Sequence, residues 1–436
     1  MTKVNLYDHQ QQALDETNDK NRVAYYHDMG LGKTYTGTEK LRTFNTLANL
    51  IVCQKSKISD WMDHLRKYIA YDDSFVYDLT DKKQYSEFFK HIGTLSINPE
   101  NAYGVINYDL IFRRPELTSL EHFTLMLDES SLISNEKAKR TKFILSLQPD
   151  NVILLSGTPT AGKYERLWSQ LRLLGWDISK STYYRQYVIT EFVDNPITGF
   201  KIPVVKGYKN TDRLKRKLRE YGAVFLKTEE VMSLPVKNYI DVKTPLPSQY
   251  KKFMRDGYIV IDDKEYVGDT MLSKRIYARM ICSLSQERIT AFKDLVESTN
   301  DRLIVFYNYN DELLALRSAC IDMERPVSIM NGEDKDLEAY NECPDSITLV
   351  QYQAGAMGLN LQLSNKVIFF SPTDRVDLWM QGQKRIHRIG QDRPCYYYKL
   401  FSPDSIESHI YKALEKGVDY TDDLFKEELE RYEVHK

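Results

Sequence analysis

The amino-acid sequence predicts an α/β fold: two parallel-sheet lobes with a helical insertion and a linker between them. Three observations carry that prediction. Short runs of apolar, β-branched and aromatic residues recur through the chain, each continuous rather than alternating, as strands covered on both faces are. Longer stretches with helical spacing lie between them, and a strand–helix–strand rhythm builds parallel sheets. The rhythm starts twice, near Val23 and again near Arg302, and 436 residues leave room for two large cores.

In the first series the strand candidates are Val23–Tyr26, Leu50–Cys53, Ser74–Tyr77, Tyr103–Asn107, Phe123–Leu127 and Val152–Leu155. Amphipathic helices such as Ile58–Ile69 and Lys137–Leu147 fit between them. The second series runs Leu303–Tyr307, Val327–Met330, Ile347–Gln351, Val367–Phe370 and Tyr396–Leu400. From about Trp168 to Asn300 the rhythm breaks into helical, Tyr-rich and Lys-rich sequence with a loop at Asn195–Gly199. The predicted organisation is therefore a first lobe over 1–245, with a helical elaboration about 168–235, a helical linker over 246–300, and a second lobe over 301–436. No 20–50 residue repeat is visible, which excludes solenoids.

Composition bounds the class. Hydrophobic residues make 42% and charged residues 28%, so disordered and collagen-like chains are excluded. The longest apolar run is five residues, Leu303–Tyr307, far below the roughly 18 that span a bilayer. The N-terminus carries no apolar segment of a signal peptide. A cytoplasmic protein with no membrane association is expected. The five cysteines (Cys53, Cys282, Cys320, Cys343, Cys395) have no paired spacing, so neither a disulfide framework nor a zinc site is indicated. Sixty basic against 62 acidic residues give no global basic field. A local one exists at Lys201–Arg219, where eight of nineteen residues are basic and only Asp212 is acidic. A polyanion-binding surface and a solvated helix face both fit that run.

After the first strand comes Asp28-Met-Gly-Leu-Gly-Lys-Thr34, followed by the helix-compatible stretch Tyr35–Leu47. Strand, glycine loop and helix is the context in which Met29, Gly30, Leu31 and Gly32 bring backbone N–H groups to phosphate oxygens. Lys33 then reaches the β/γ-phosphates and the Thr34 hydroxyl ligates Mg²⁺. The expected ligand is ATP with Mg²⁺. The common pattern has a further glycine five residues before Gly32, where this chain has His27. At the end of the strand Phe123–Leu127 stand Asp128 and Glu129, two carboxylates at a strand's C-terminal edge. Asp128 can hold the Mg²⁺ shell while Glu129 orients and deprotonates the attacking water, the division of labour phosphoryl transfer requires.

Taken together these residues resemble superfamily 2 helicases, and within them the Swi/Snf-type ATPases, whose lobes are RecA-like. Leu6–Gln10 is similar to the adenine-sensing glutamine motif, with Gln10 the nucleotide contact. Asp28–Thr34 resembles motif I, Leu50–Lys55 with Trp61 motif Ia, Leu127–Ser131 with Lys139–Thr141 motif II, and Leu155–Pro159 motif III. Ile304–Asn308 resembles motif IV, Ala354–Leu361 motif V and Gln381–Gln391 motif VI. The chain departs from the family at His27 and Asp28, where a pair of acids is usual, at Ser131 in place of a His, and at Lys384 in place of an acid. Large insertions are absent, so a compact bacterial or phage-like member is expected, in a bacterial or phage-infected cell.

If Gln381–Ile389 is helical, Arg385 and Arg388 project from one face and can meet one anion. The resemblance makes that anion the γ-phosphate and the two guanidiniums arginine fingers. It also implies that Gly358 senses nucleotide, and that Gln54, Lys55, Asn107, Tyr108, Asn308, Tyr309, Ala354 and Gly355 contact a nucleic-acid backbone. Amides, hydroxyls and lysines bind phosphate and sugar without reading bases, so salt-sensitive, sequence-independent binding is expected. Tyr108, Tyr309 and Trp379 fit either base stacking or core filling. The resulting reading is a DNA-stimulated ATPase that translocates on DNA, double-stranded by preference, and remodels DNA or protein–DNA complexes, acting as a monomer with replication or recombination proteins as partners. Alternatives are a strand-separating DNA or RNA helicase and an ATP-switched clamp with little turnover. A P-loop kinase leaves the second lobe and the arginine pair unexplained.

Overall fold

The computed structural model describes residues 5–69, 75–94, 100–160, 163–194, 201–231, 234–355, 360–388, 390–417, 419–421 and 425. The chain divides into two units, Met1–Ser233 and Leu234–Lys436, each built on its own parallel sheet.

The strands of the first unit are β1 (Arg22–His27), β2 (Ala48–Cys53), β3 (Val76–Asp78), β4 (Ala102–Asn107), β5 (Phe123–Asp128), β6 (Asn151–Leu155), β7 (Val188–Asp194), β8 (Lys201–Tyr208) and β9 (Ala223–Leu226). Seven of them form one sheet in the order β3-β4-β2-β5-β6-β1-β9, every neighbouring pair parallel. The pleat sends alternate side chains to opposite faces, and both faces are dry. Val23 and Tyr25 join Ile51, Met126, Ile153 and Leu155 on one side, under α1 (Asp8–Asp15), α2 (Lys33–Phe44) and α3 (Ile58–Tyr68), which contribute Ala13, Leu41, Trp61 and Leu65. Ala24 and Tyr26 join Leu50, Val52, Leu125 and Leu154 on the other, under helices carrying Phe88, Ile144 and Leu171. Each fully buried aliphatic side chain stabilises by about 1.5–3 kcal/mol, so these continuous apolar strands are what hold helices on both faces. One polar tie orders the first face: the buried Lys40 ammonium donates to the Thr17 carbonyl just beyond α1 at 2.5 Å.

The second unit has β10 (Lys237–Lys243), β11 (Tyr258–Ile261), β12 (Lys264–Val267), β13 (Leu303–Tyr307), β14 (Val327–Met330), β15 (Ile347–Gln351), β16 (Lys366–Phe369) and β17 (Cys395–Phe401). Its sheet runs β10-β17-β16-β13-β15-β14, again all parallel, and β11 and β12 form a separate hairpin. Two α/β lobes, as the sequence rhythm predicts, are therefore present. The second is pinned by an ion pair with no solvent exposure. Arg288 Nη2 lies 2.5 Å from Glu407 Oε2, Arg288 Nη1 donates to the Phe370 carbonyl at 2.8 Å, and Glu407 also accepts the Ser402 N–H at 2.9 Å. Two helices, Gln286–Glu297 and Ile406–Glu415, and two strand ends meet at that pair.

The stretch 168–300 departs from the helical expectation. It holds the β7–β8 hairpin, the seventh strand β9, the edge strand β10 and the β11–β12 hairpin. β10 reads Lys-Asn-Tyr-Ile-Asp-Val-Lys and is largely exposed, so no continuous apolar run marks it; its residues 237–243, assigned from sequence to the first lobe, pair along their whole length with β17. The β11–β12 turn is made by Asp262 and Asp263, both at positive φ (48° and 61°), as two-residue hairpin loops need. The loop expected at Asn195–Gly199 lies outside the described residues. The basic run splits between β8 and the helix Thr211–Glu220, whose Leu214 and Leu218 are buried while Arg213, Lys215, Arg216 and Arg219 face solvent. Among the described residues no helix is long and apolar enough to cross a membrane.

His27 closes β1 with no solvent exposure, and neither ring nitrogen has a hydrogen-bond partner. Burial first, then the charges of Lys33 and His9, depress its pKa from 6.5 to about 3. The imidazole is therefore neutral when folded, while the unfolded chain takes up a proton near pH 6.5. The stability this group confers is whole above that pH and drains away as pH falls toward 3, at up to about 1.4 kcal/mol per unit. Urea unfolding of the first unit should shift to lower denaturant between pH 7 and pH 5, and His27→Leu should flatten that dependence. In the second unit, Glu407→Gln leaves Arg288 buried without its counter-charge and should cost roughly 3–5 kcal/mol in the same measurement.

Candidate functional site

Because the strands of the first sheet are parallel, the loops after β1, β2, β4, β5 and β6 all leave from one edge. The loop after β1 turns through Gly30 (φ 90°) and Gly32 (φ 71°), and Gly32 is the N-cap of α2, so the first N–H groups of that helix open at the loop. Only glycine fits at 32: besides its left-handed backbone, a Cβ there would stand 2.1 Å from the Gln10 amide nitrogen. Gln10 is buried on α1. Its Nε2 donates to the Leu31 and Gly32 carbonyls at 3.2 and 3.1 Å, and its Oε1 accepts the Tyr7 N–H at 2.9 Å. His9 adds a bond to Leu31 O at 3.1 Å. The glutamine thus grips the loop by its carbonyls. Lys33 begins α2, with Nζ 3.4 Å from the Asp28 carbonyl. From the end of β6, Gly157 passes so close that a Cβ would lie 3.3 Å from that ammonium.

Asp128 ends β5. Its Oδ2 accepts the Trp61 indole N–H at 2.8 Å, and its backbone carbonyl accepts the Tyr108 hydroxyl at 2.8 Å. Burial pushes its carboxyl up, against the Trp61 bond and the Lys33 charge that hold it down. Glu129 follows in the left-handed region (φ 53°, ψ 56°), a backbone strain that a non-glycine residue keeps only where its surroundings impose it. Next to it the Ser130 hydroxyl donates to the buried Gln170 side chain at 2.8 Å, which also accepts Tyr26 at 2.9 Å and donates to the Pro159 carbonyl at 3.1 Å. The loops after β5 and β6 are tied through this one amide.

A phosphate-bound Mg²⁺ needs one or two hard oxygen donors from protein and takes the rest from phosphate and water. The donor set fits: the Asp128 carboxylate and the Thr34 hydroxyl, at the mouth of a loop of N–H groups. Among the described residues there is no cluster of three or more His, Cys, Asp or Glu side chains of the kind an all-protein metal cage requires.

Several expected contacts prove to be engaged internally. Tyr108 is 2% exposed, so its ring has no free face for a base. In the second unit Asn308 spends its amide on Ser371 Oγ (2.8 Å) and the Pro372 carbonyl (3.0 Å), and Tyr309 packs under the Arg279 guanidinium, 5.3 Å from ring centre, with its hydroxyl buried. Trp379 is core. Gln54 stands at the N-cap position of the short turn Lys55–Lys57 without a side-chain capping bond, Lys55 is exposed, and Asn107 ends β4 nearly buried. Ala354 is buried in the short helix Tyr352–Gly355; Gly358 lies outside the described residues. The helix expected over 381–389 stops at Gln383. Past it the Arg385 N–H bonds the Gly382 carbonyl in a tighter turn (3.3 Å), while the Arg385 carbonyl accepts the Leu361 N–H (3.2 Å) and that of Ile386 the Gln391 side chain (3.3 Å). Arg385 is buried in the turn and Arg388 donates to Asn360 Oδ1, its pKa lowered by burial. Sequence reasoning missed Gln170 altogether, since one glutamine on an amphipathic helix carries no signal. It had Trp61 only as part of a motif.

Comparison with known proteins follows the same lines. The model of the SNF2-related domain matches residues 13–304. Relatives include the SWI/SNF-related matrix-associated actin-dependent regulator of chromatin subfamily A member 1 of Mus musculus, 22% identical over 438 residues (89% of this chain, 40% of that protein). The ATP-dependent DNA helicase DDM1 of Arabidopsis thaliana is 22% identical (88% and 56%), and the putative ATP-dependent helicase/translocase YwqA of Bacillus subtilis 22% (92% and 46%). The chain thus spans about half or less of the length of most of these relatives. Among solved structures, the Sulfolobus solfataricus SWI2/SNF2 ATPase core in complex with dsDNA is 20% identical, with a TM-score of 0.45 over 98% of this chain and 96% of that one. With the domain model matched over more than half of its residues, the chain belongs to the SNF2-related domain family.

Proposed function

We propose that this protein is an ATP hydrolase, stimulated by DNA, that couples turnover to translocation along duplex DNA and so remodels DNA or the proteins bound to it. The observation that carries the reading is the meeting, at one sheet edge, of a helix N-terminus capped by Gly32, the Lys33 ammonium and the Asp128–Glu129 pair. Backbone N–H groups bind phosphate oxygens there; Lys33 offsets charge on the leaving phosphates; Glu129 takes a proton from the attacking water. Mg²⁺, held by Asp128 and Thr34 with the nucleotide, supplies further charge neutralisation when bound. Arg385 and Arg388 are assigned to the γ-phosphate charge. The relatives' names, an ATP-dependent DNA helicase and a helicase/translocase, support both the cofactor and the DNA substrate.

DNA contact is assigned to Gln54, Lys55 and the backbone around Asn107, with Ala354 and Gly355 in the second unit. Such contacts neutralise phosphate without reading bases, so affinity should fall steeply with salt.

Turnover measured with and without duplex DNA tests the reading. Wild-type hydrolysis should rise on adding duplex, and the rise should shrink between low and physiological salt. Lys33→Ala and Glu129→Gln should each remove about 10²–10⁴-fold of the stimulated rate, with the duplex still bound by Glu129→Gln. Arg388→Ala should lose on the order of 10³-fold. Undiminished hydrolysis in these variants would overturn the assignment.

A further inference from the structure

We propose that Trp61 and Tyr108 are positioning residues that set Asp128 for magnesium-nucleotide and tie it to the two strand-end loops from which they come. The inference rests on the ATP-hydrolase reading of Asp128 and adds to it the route by which an occupied nucleic-acid surface reaches the carboxylate.

The geometry is specific at both ends of the residue. Trp61 is 3% exposed and its indole has one donor, so the 2.8 Å bond to Oδ2 fixes the carboxylate's rotation, a torsion that is otherwise soft. Tyr108, also buried, holds the other end: its hydroxyl lies 2.8 Å from the Asp128 carbonyl. That carbonyl belongs to the peptide joining Asp128 to Glu129. That bond holds the peptide plane that leads into Glu129, a residue in the left-handed region. One residue thus aims the carboxylate and the other helps hold the strained backbone of its neighbour.

The two donors come from different loops. Trp61 is in the first turn of α3, directly after the 3-10 turn Lys55–Lys57 that ends β2. Tyr108 directly follows β4, and its own N–H donates to the Cys53 carbonyl at 3.2 Å, so the ends of β2 and β4 are joined to each other. These are the loops that carry Gln54, Lys55 and Asn107. A phosphate backbone resting on them cannot displace either loop without straining a bond to Asp128.

Tyr108→Phe keeps its ring and removes one hydrogen bond, and Trp61→Phe removes the indole donor while leaving a smaller aromatic ring in its place. Binding of a fluorescent ADP analogue, titrated with Mg²⁺ in the absence of turnover, reads the carboxylate directly. Trp61→Phe should raise the Mg²⁺ half-point by about 10-fold, the low end for partners that orient a metal's ligands, while affinity without Mg²⁺ stays at the wild-type value. Tyr108→Phe should lower the fold-stimulation of hydrolysis by duplex DNA more than it lowers the DNA-free rate. Trp168→Phe serves as the structural control: it removes a comparable indole bond in the same unit, to the Ile178 carbonyl at 2.9 Å, and should lower the melting temperature without moving the Mg²⁺ half-point. Wild-type Mg²⁺ half-points and wild-type stimulation in both phenylalanine variants would overturn the proposal. A wild-type protein that DNA does not stimulate would instead overturn the functional reading, and the Mg²⁺ titration would still decide the role of Trp61.

Discussion

The shared direction of the strands is the constraint on which the rest of this protein depends. In the first sheet every neighbouring pair is parallel, so each helix crossover returns the chain to the same end and every loop that follows a strand opens on one edge. Residues as far apart in sequence as Lys33, Trp61, Tyr108, Asp128 and Gly157 become neighbours for that reason alone. No antiparallel rearrangement of the same strands would bring them together. The second sheet obeys the same rule and anchors its helices through a buried arginine–glutamate pair, where the first relies on apolar packing and single hydrogen bonds.

Within that edge the side chains are bonded mostly to one another. Gln10 grips the glycine loop, Tyr108 and Trp61 grip Asp128, and Gln170 joins the loops after β5 and β6. Buried aromatic and amide groups thus place the atoms of the loops and of the Asp128 carboxylate. Precise placement of a carboxylate against phosphate is worth far more than an additional loose contact.

What could be read from the sequence follows from what each signal measures. The strands at the sheet centres are continuous apolar runs because both faces are covered, and β1, β2, β4, β5, β13 and β15 appear where those runs lie. The edge strand β14 lies where Val327–Met330 was expected, but β10 and the hairpin strands escaped because much of their surface is wet. β10 alternates lysine, aspartate and apolar residues, and its partner lies more than 150 positions downstream, a pairing no local pattern encodes. The glycine loop and the Asp128–Glu129 pair were legible because their chemistry needs fixed residue types at fixed spacing. Tyr108, Asn308 and Tyr309 have internal partners that the sequence does not reveal, because a polar or aromatic residue at a strand end looks the same whether it faces a ligand or its own core. The helix ends before Arg385, and the segment after it is held by tertiary bonds from Leu361 and Gln391 to the Arg385 and Ile386 carbonyls, contacts that leave no mark in residue spacing.

The amide of Gln10 carries one more implication. Its oxygen is identified by the Tyr7 main-chain N–H, which can only donate, and both hydrogens on its nitrogen are consumed by the Leu31 and Gly32 carbonyls. A single lone pair on Oε1 is all that is left over. In this arrangement a purine edge can approach Gln10 only by offering it a hydrogen, as an exocyclic amine does, and a keto group at the same place would face an acceptor with nothing to give. Selectivity for the base would then be a by-product of the same bonds that keep the glycine loop in shape.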